Sequence, residues 1–223
     1  MKDGTAISFF GDSITWQNVY ISKIGTALKK GEGTQGMEIK LVNSGINGGG
    51  VLSIRDGSKK AAFVSTKQRN GPQAPFAEII KADQSSVAVV YIGINDVWWR
   101  KTSPEDFEKA LRDLVDTARV NKTVPVLATL SVWRELPDGK NPGDPKCDQY
   151  AEITRKVAKS TNTTLVDLRA AFIAYLRNHN VELRVDGTWY PRRQASSPTT
   201  ASIPATPATN CWPIRSHRAS TRH

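Results

Sequence analysis

The sequence predicts an α/β protein built on a central parallel sheet with helices on both faces. Short apolar runs alternate with segments long enough to form a helix, which is the pattern of a parallel sheet. The first and third of these runs end at a glycine, Gly11 and Gly93. The predicted strands cover residues 6–10, 38–42, 87–92, 124–130 and 164–166.

Helix signals lie between the predicted strands. Residues 16–30 carry apolar side chains at helical spacing. Ser103 is predicted to cap a helix that begins at Pro104 and has acidic residues in its first turn. Further helices are predicted to begin at Asp144 and to cover residues 169–177. In such a sheet, functional residues collect at the carboxyl ends of the strands.

The composition is that of one globular domain of 223 residues, with 39% hydrophobic and 23% charged residues. No apolar run approaches the about 20 residues of a membrane-spanning helix. Cys147 and Cys211, with three histidines, are too few to indicate a disulfide framework or a metal site, so we expect no metal and no cofactor. No signal-peptide pattern precedes the first strand. This predicts a cytoplasmic protein if the chain is complete, and a secreted or periplasmic one if a leader has been removed.

The C-terminal residues differ in composition from the rest of the chain. Residues 189–223 contain five arginines and no acidic residue, so half of the net charge of +10 lies there. We therefore predict a folded domain at residues 1–188 and an irregular, unstructured basic tail, rich in Pro, Ser, Thr and Ala, at residues 189–223. A basic tail can bind nucleic acid. This one has no aromatic stacking platform, so the sequence argues against a nucleic-acid partner.

Three predicted strands end in segments that can carry chemistry. Ser13 follows the first strand, where a tight turn can expose its hydroxyl, although such a serine is more often a helix cap. The glycines of residues 43–50 can bring a backbone N–H close to a ligand oxygen, or can simply form a flexible turn. Asn95 can donate to a negatively charged oxygen, or can form a local side-chain turn.

Taken together, G-D-S-I-T at residues 11–15, N-x-G-x-x-G about thirty residues later and G-I-N-D at residues 93–96 resemble the SGNH hydrolases, also called the GDSL lipase/esterase family. The resemblance implies a flavodoxin-like three-layer sandwich. It also implies that Ser13 is the nucleophile, and that the Ser13 N–H, the Gly48 N–H and the Asn95 side chain form an oxyanion hole. The chain most resembles the carbohydrate acetylesterase branch, which implies a small-molecule or carbohydrate ester as substrate. Trp98, Trp99 and Arg100 either line an acyl or sugar pocket or serve as packing residues.

The family's general base is absent from the sequence. The resemblance implies an Asp-x-x-His pair near the C-terminus, since a serine hydroxyl needs an imidazole to accept its proton. The nearest match is Asp186, but Trp189 stands where the histidine belongs. His179 follows a predicted helix, and His217 and His223 lie in the tail without an acidic neighbour. The sequence thus predicts an impaired ester hydrolase or, alternatively, a catalytically silent domain that retains a ligand-binding pocket.

A shifted reading frame is a hypothesis that explains both the tail and the missing histidine. If each codon takes its last two bases from the first two of the written codon, the genetic code permits G-I-L-T-Y-D-G-V-H-P-S-D-A-G-N-E-L-L-A-D-Q-I from Ala195 onward. The letters D-G-V-H-P then replace those of residues 200–204. A frameshift between about Pro191 and Ala195 would also account for the composition of the tail, and the loss of a terminal helix would expose apolar surface.

Overall fold

The computed structural model describes residues 4–31, 33–58, 73–134, 136, 141–183 and 189–191. The strands are β1 (Thr5–Gly11), β2 (Ile39–Gly45), β3 (Val87–Tyr91), β4 (Val124–Ala128), β5 (Thr164–Val166), β6 (Asn180–Leu183) and β7 (Trp189–Pro191). The α-helices are α1 (Ser13–Trp16), α2 (Val19–Lys30), α3 (Val51–Asp56), α4 (Phe76–Ala82), α5 (Pro104–Val120), α6 (Asp144–Ser160) and α7 (Leu168–His179). A single π-helical turn covers Asp96–Arg100.

The central sheet has five parallel strands in the order β2-β1-β3-β4-β5. This confirms the predicted α/β class and all five predicted strands, with end points shifted by a few residues. Gly11, the last residue of β1, pairs with Gly45 of β2 on one side and with Tyr91 of β3 on the other. The two strands that follow β1 in the chain therefore lie on opposite sides of it. In α/β sheets, ligands bind in the crevice outside the carboxyl ends of strands arranged in this way.

The two faces of the sheet are covered to different extents. Helices α3, α4, α5 and α6 contribute to one large buried cluster that includes Phe10, Val90 and Leu127. On the opposite face, the buried cluster among the described residues consists of three side chains, Ile7 and Phe9 of β1 and Ile21 of α2. Most of the hydrophobic core therefore lies on the first face.

The helix predicted at residues 16–30 is interrupted. Asn18 adopts a left-handed backbone conformation with φ of 65° between α1 and α2. The Asn43 side chain donates to Thr15 O at 2.8 Å and to Asn18 Oδ1 at 3.0 Å. A contact with a residue 25 positions away thus fixes this break, which the local sequence pattern did not indicate.

Other elements were not predicted from the sequence. These are α3, α4, the π-helical turn and an antiparallel hairpin of β6 and β7. The hairpin differs from the expectation of an irregular tail beginning at residue 189, because Trp189–Pro191 forms one of its strands. Residues 192–223 lie outside the described part, so the other predictions about the tail stay predictions. Within the described ranges, no helix is both long enough and apolar enough to cross a membrane.

Candidate active site

The three segments singled out in the sequence lie at the carboxyl ends of neighbouring strands. Ser13 follows β1, Gly48 lies in the loop after β2, and Asn95 follows β3. Since β1 lies between β2 and β3, these loops emerge side by side at one edge of the sheet. The fold brings the Ser13, Gly48 and Asn95 segments together at the point where strand order reverses.

The turn that carries Ser13 is tight. A Cβ on Gly11 would clash with the Thr15 side chain and lie 2.5 Å from Tyr91 O, so this position needs glycine. A Cβ on Gly45 would likewise overlap the backbone of Trp16. Ser13 itself is half-buried and begins α1.

Asp12 caps the start of α1, within the turn that carries Ser13. Its Oδ1 accepts a hydrogen bond from the Ile14 N–H at 2.8 Å, and the residue is 2% exposed. The pKa of Asp12 is raised from 3.8 to about 6, chiefly by burial; the Ile14 N–H opposes this rise, and the nearby Asp96 charge adds to it. Its observed contact orients the residues on either side of Ser13.

The loop after β2 is held at both ends by backbone contacts. The Ile46 N–H donates to Gly11 O at 2.8 Å, and the Gly49 N–H donates to Ile46 O at 2.8 Å. Gly48 has φ of +68°, a left-handed conformation that favours glycine. Arg100 then donates to Gly48 O from Nε at 2.8 Å and from Nη2 at 2.6 Å. The Gly48 carbonyl is thereby anchored to the π-helical turn.

Asn95 is buried at 7% exposure and joins the same loop. Its Nδ2 donates to Gly49 O at 2.9 Å. An amide nitrogen carries two hydrogens, so this contact orients the side chain and leaves a second donor for a ligand. The Asn95 side chain and the loop containing Gly48 are therefore in direct contact.

Asp96 connects the loops by hydrogen bonds, a role that its place in the G-I-N-D motif did not predict. It is fully buried and accepts the Val51 N–H at 3.0 and 3.1 Å and the Thr102 hydroxyl at 2.7 Å. Burial raises the pKa of Asp96. A Cβ on Gly50 would lie 2.7 Å from its Oδ1, so the loop approaches this carboxyl closely. In the sequence, the sole indication of this connecting role was that an acidic residue follows Asn95.

The two tryptophans beyond Asn95 differ in environment. Trp98 is partly buried and stacks on Trp133, with 4.3 Å between ring centroids. Trp99 is 63% exposed. The packing alternative thus fits Trp98, whereas Trp99 faces solvent beside the candidate site. The weak candidate acid Asp186, together with His217 and His223, lies outside the described residues.

Comparisons with known proteins identify the family and the fold of the chain. Residues 9–188 match the GDSL-like lipase/acylhydrolase family. The chain is 26% identical over 206 residues to an acetylxylan esterase of Geobacillus stearothermophilus, covering 78% of this chain and 80% of the relative. The crystal structure of the acetyl xylan esterase AlAXEase is similar with a TM-score of 0.60 and 26% identity, over 76% of this chain and 80% of that one. The acetylxylan esterase Axe2 of the same Geobacillus species is similar in fold, with a TM-score of 0.62 and 23% identity, over 85% and 88% of the two chains.

The chain belongs to the GDSL-like lipase/acylhydrolase family, because that family's match extends over most of its length. It is therefore, by family, a carboxylic ester hydrolase. The resemblance noted in the sequence is confirmed, and so is the fold.

Proposed function

We propose that this protein cleaves acetyl esters on carbohydrate through an acyl-enzyme formed on Ser13, and that the chain as written does so slowly. The observation that carries the proposal is the meeting of the Ser13, Gly48 and Asn95 segments at the edge of the sheet. The relatives named as acetylxylan esterases support acetyl and carbohydrate as the two parts of the substrate. Three structures of Axe2 are of catalytic mutants in which a serine, an aspartate or a histidine was replaced by alanine, which supports serine chemistry.

In the proposed reaction, the Ser13 hydroxyl attacks the ester carbonyl and loses its proton. The tetrahedral oxyanion accepts hydrogen bonds from the Ser13 N–H, the Gly48 N–H and the free hydrogen of Asn95 Nδ2. The carbohydrate leaves as an alcohol when it takes up a proton. Water then attacks the acetyl group on Ser13, which releases acetate and restores the hydroxyl.

The proposed reaction lacks its general base, the group that would accept the proton of the Ser13 hydroxyl. The sequence contains no Asp-x-x-His pair, and Asp12, whose carboxylate already accepts the Ile14 N–H, serves the turn. Loss of the histidine of a serine triad costs up to about 10⁶ in kcat, while the oxyanion hole and binding alone leave about 10³–10⁴ over water. We therefore expect slow turnover, and the absent base equally favours a second candidate, a silent domain that binds its ligand without cleaving it.

Chemical rescue separates these candidates. Aryl-acetate hydrolysis is measured near neutral pH with increasing imidazole, which can supply the missing base, and the rate without protein at each imidazole concentration is subtracted as background. We expect imidazole to accelerate the written chain and to leave Ser13→Ala at the background rate. Ser53→Ala, in helix α3, is the matched serine control and should keep the rescue.

Two further results complete the test. Asn95→Ala should reduce the rescued rate by about 10²–10³, the usual cost of one oxyanion donor. A fluorophosphonate should label Ser13 and no other serine. If imidazole leaves the written chain at background and no serine is labelled, the acyl-enzyme proposal is wrong. Saturable binding of an acetylated xylo-oligosaccharide under those conditions would then identify the silent binding domain.

A further inference from the structure

An apolar groove of about 510 Å³ lies on the less covered face of the sheet. Its floor is formed by β1, β3 and β4, and its walls by α2 and α7. All of its lining side chains are apolar or aromatic, and they include Val87, Val89, Val126 and Phe172. One end of the groove reaches Ile14, the residue after Ser13, but Ser13, Gly48 and Asn95 are not among its lining residues.

The position of the groove is unusual for a parallel sheet. Such sheets are normally buried on both faces. The residues of β3 that face the main core, Ala88 and Val90, are 0% and 2% exposed, whereas Val87 and Val89 on the groove side are only partly buried. At the far wall, Phe172 is 40% exposed. Within the described residues, the Tyr20 ring of α2 packs on Tyr91 at the end of β3, and no helix lies over the rest of β3 or over β4 on this side.

The width of the gap fits one helix. Helix α2 packs on the β1 side through Ile21, and α7 follows β5 at the sheet edge. The strands between them are spaced by about 4.8 Å, and a helix with its side chains is about 10 Å across. One amphipathic helix would therefore cover the two strands that form the centre of the floor.

The composition of the tail, residues 189–223, indicates that its codons are read in a shifted frame. From Ala195 to His223, nearly every residue is Ala, Ser, Pro, Thr, Arg, Cys or Trp, whose codons all have C or G as their second base. In the shifted reading described above, this base is the third base of each codon, where the genetic code allows free choice. A preference for C and G at that position would produce this tail when it is read out of frame.

In the shifted frame, three consecutive residues follow from the amino-acid sequence alone, whichever synonymous codons the gene uses. Codons for Asn210 and Cys211 end in a pyrimidine, and those for Cys211 and Trp212 begin with T-G, so the shifted codons at Cys211 and Trp212 encode leucine. The Trp212 codon ends in G and the Pro213 codon begins with C-C, which gives alanine. Apart from a stop codon, the shifted codon at Asn210 allows only Glu, Gln or Lys, and the one at Ile214 only polar residues or tyrosine.

Leucine and alanine are strong helix formers, and an apolar pair between polar residues is typical of one face of an amphipathic helix. In the written reading, by contrast, Pro204, Pro207 and Pro213 each remove a helical hydrogen-bond donor. We infer that the groove between α2 and α7 is the seat of a C-terminal amphipathic helix that the gene encodes out of frame. Its leucine pair lies over β3 and β4.

The first experiment reads the coding DNA from Pro191 to His223. We expect that adding or removing one base near the Ala195 codon opens a reading frame that runs through the Leu-Leu-Ala codons. A frame that meets a stop codon before those codons overturns the inference.

The second experiment measures the groove itself with a thiol probe. Phe172→Cys is made with Cys211→Ser in the full written chain, and Phe172→Cys is made in the frame-corrected chain. Maleimide labelling should be slower in the corrected chain by at least about tenfold, because a covered site reacts only when it opens. Tyr175→Cys, on the same helix at 55% exposure and outside the groove lining, is the matched control and should label equally in both chains.

Replacing the leucine pair of the corrected chain by serine should restore fast labelling at position 172. Equal labelling at position 172 in the written and corrected chains overturns the inference. So does a written chain that sediments as a dimer and becomes monomeric with Phe172→Asp, because a second copy would then be the occupant. None of these readouts depends on ester hydrolysis, so they are independent of the proposed function.

Discussion

Asp12 is predicted to make the folded protein less stable as the pH rises. Its pKa in the folded protein is raised to about 6 from the ordinary value of 3.8, chiefly by burial. Between these values the folded state binds more protons than the unfolded state, so the free energy of unfolding falls as the pH rises. The penalty is absent below the unfolded pKa and complete above about pH 6. The difference between the two pKa values corresponds to about 3 kcal/mol.

Asp12→Asn removes this charge and keeps the cap. The amide oxygen can still accept the Ile14 N–H, and the side chain has nearly the same shape. We expect Asp12→Asn to be more stable than the unmodified protein by up to about 3 kcal/mol at pH 7. The difference should shrink steadily to zero near pH 4.

Urea unfolding followed by tryptophan fluorescence at pH 4, 5, 6 and 7 measures this difference, since urea carries no charge that would screen the site. Asp56→Asn is the control of opposite sign. The Arg55 guanidinium donates to Asp56 and lowers its pKa from 3.8, so its small stabilising effect is lost only as the pH falls below about 4. Asp56→Asn should therefore lose a little stability at pH 7 and keep most of that loss at pH 4. An Asp12→Asn effect that is independent of pH, or a lower stability of this variant at pH 7, would contradict the predicted charge penalty.

Three further substitutions test the packing around the site. Gly45→Ala should cost more than about 2 kcal/mol, because its methyl group would overlap the Trp16 backbone. Gly48→Ala meets no atom within 4 Å and should cost about 1 kcal/mol, from its left-handed φ alone; equal losses in urea unfolding would contradict this distinction. Arg169→Met should cost about 3 kcal/mol in the same assay, because it leaves the largely buried Asp144 carboxylate without the guanidinium that it pairs with at 3.0 Å. A loss below about 1 kcal/mol would show that the pair contributes little.

Local sequence patterns predicted most of the central fold. Apolar runs located the five parallel strands, and Ser103 with Pro104 located the start of α5, where the Ser103 hydroxyl accepts the Asp106 N–H. These signals depend on residues within a few positions of one another. The break at Asn18 was missed because the side chain of Asn43 stabilises it, and no periodicity reports such a contact.

The candidate site was predictable as a set of segments, and its supporting contacts were not. Ser13, Gly48 and Asn95 each follow a strand, which the sequence alone indicates. The hydrogen bonds of Asp96 and Arg100 emerged only in the structure, because they join residues 45 and 52 positions apart in the chain. Such contacts depend on which strands become neighbours.

Short stretches of residues are enough to predict the class of fold and the three segments of the candidate site, and they also show that no Asp-x-x-His pair is present. The position of β1 between β2 and β3, the burial of Asp12 near Asp96 and the apolar groove between α2 and α7 became known from the structure. Burial and strand order result from packing the whole chain at once, which a local pattern does not encode.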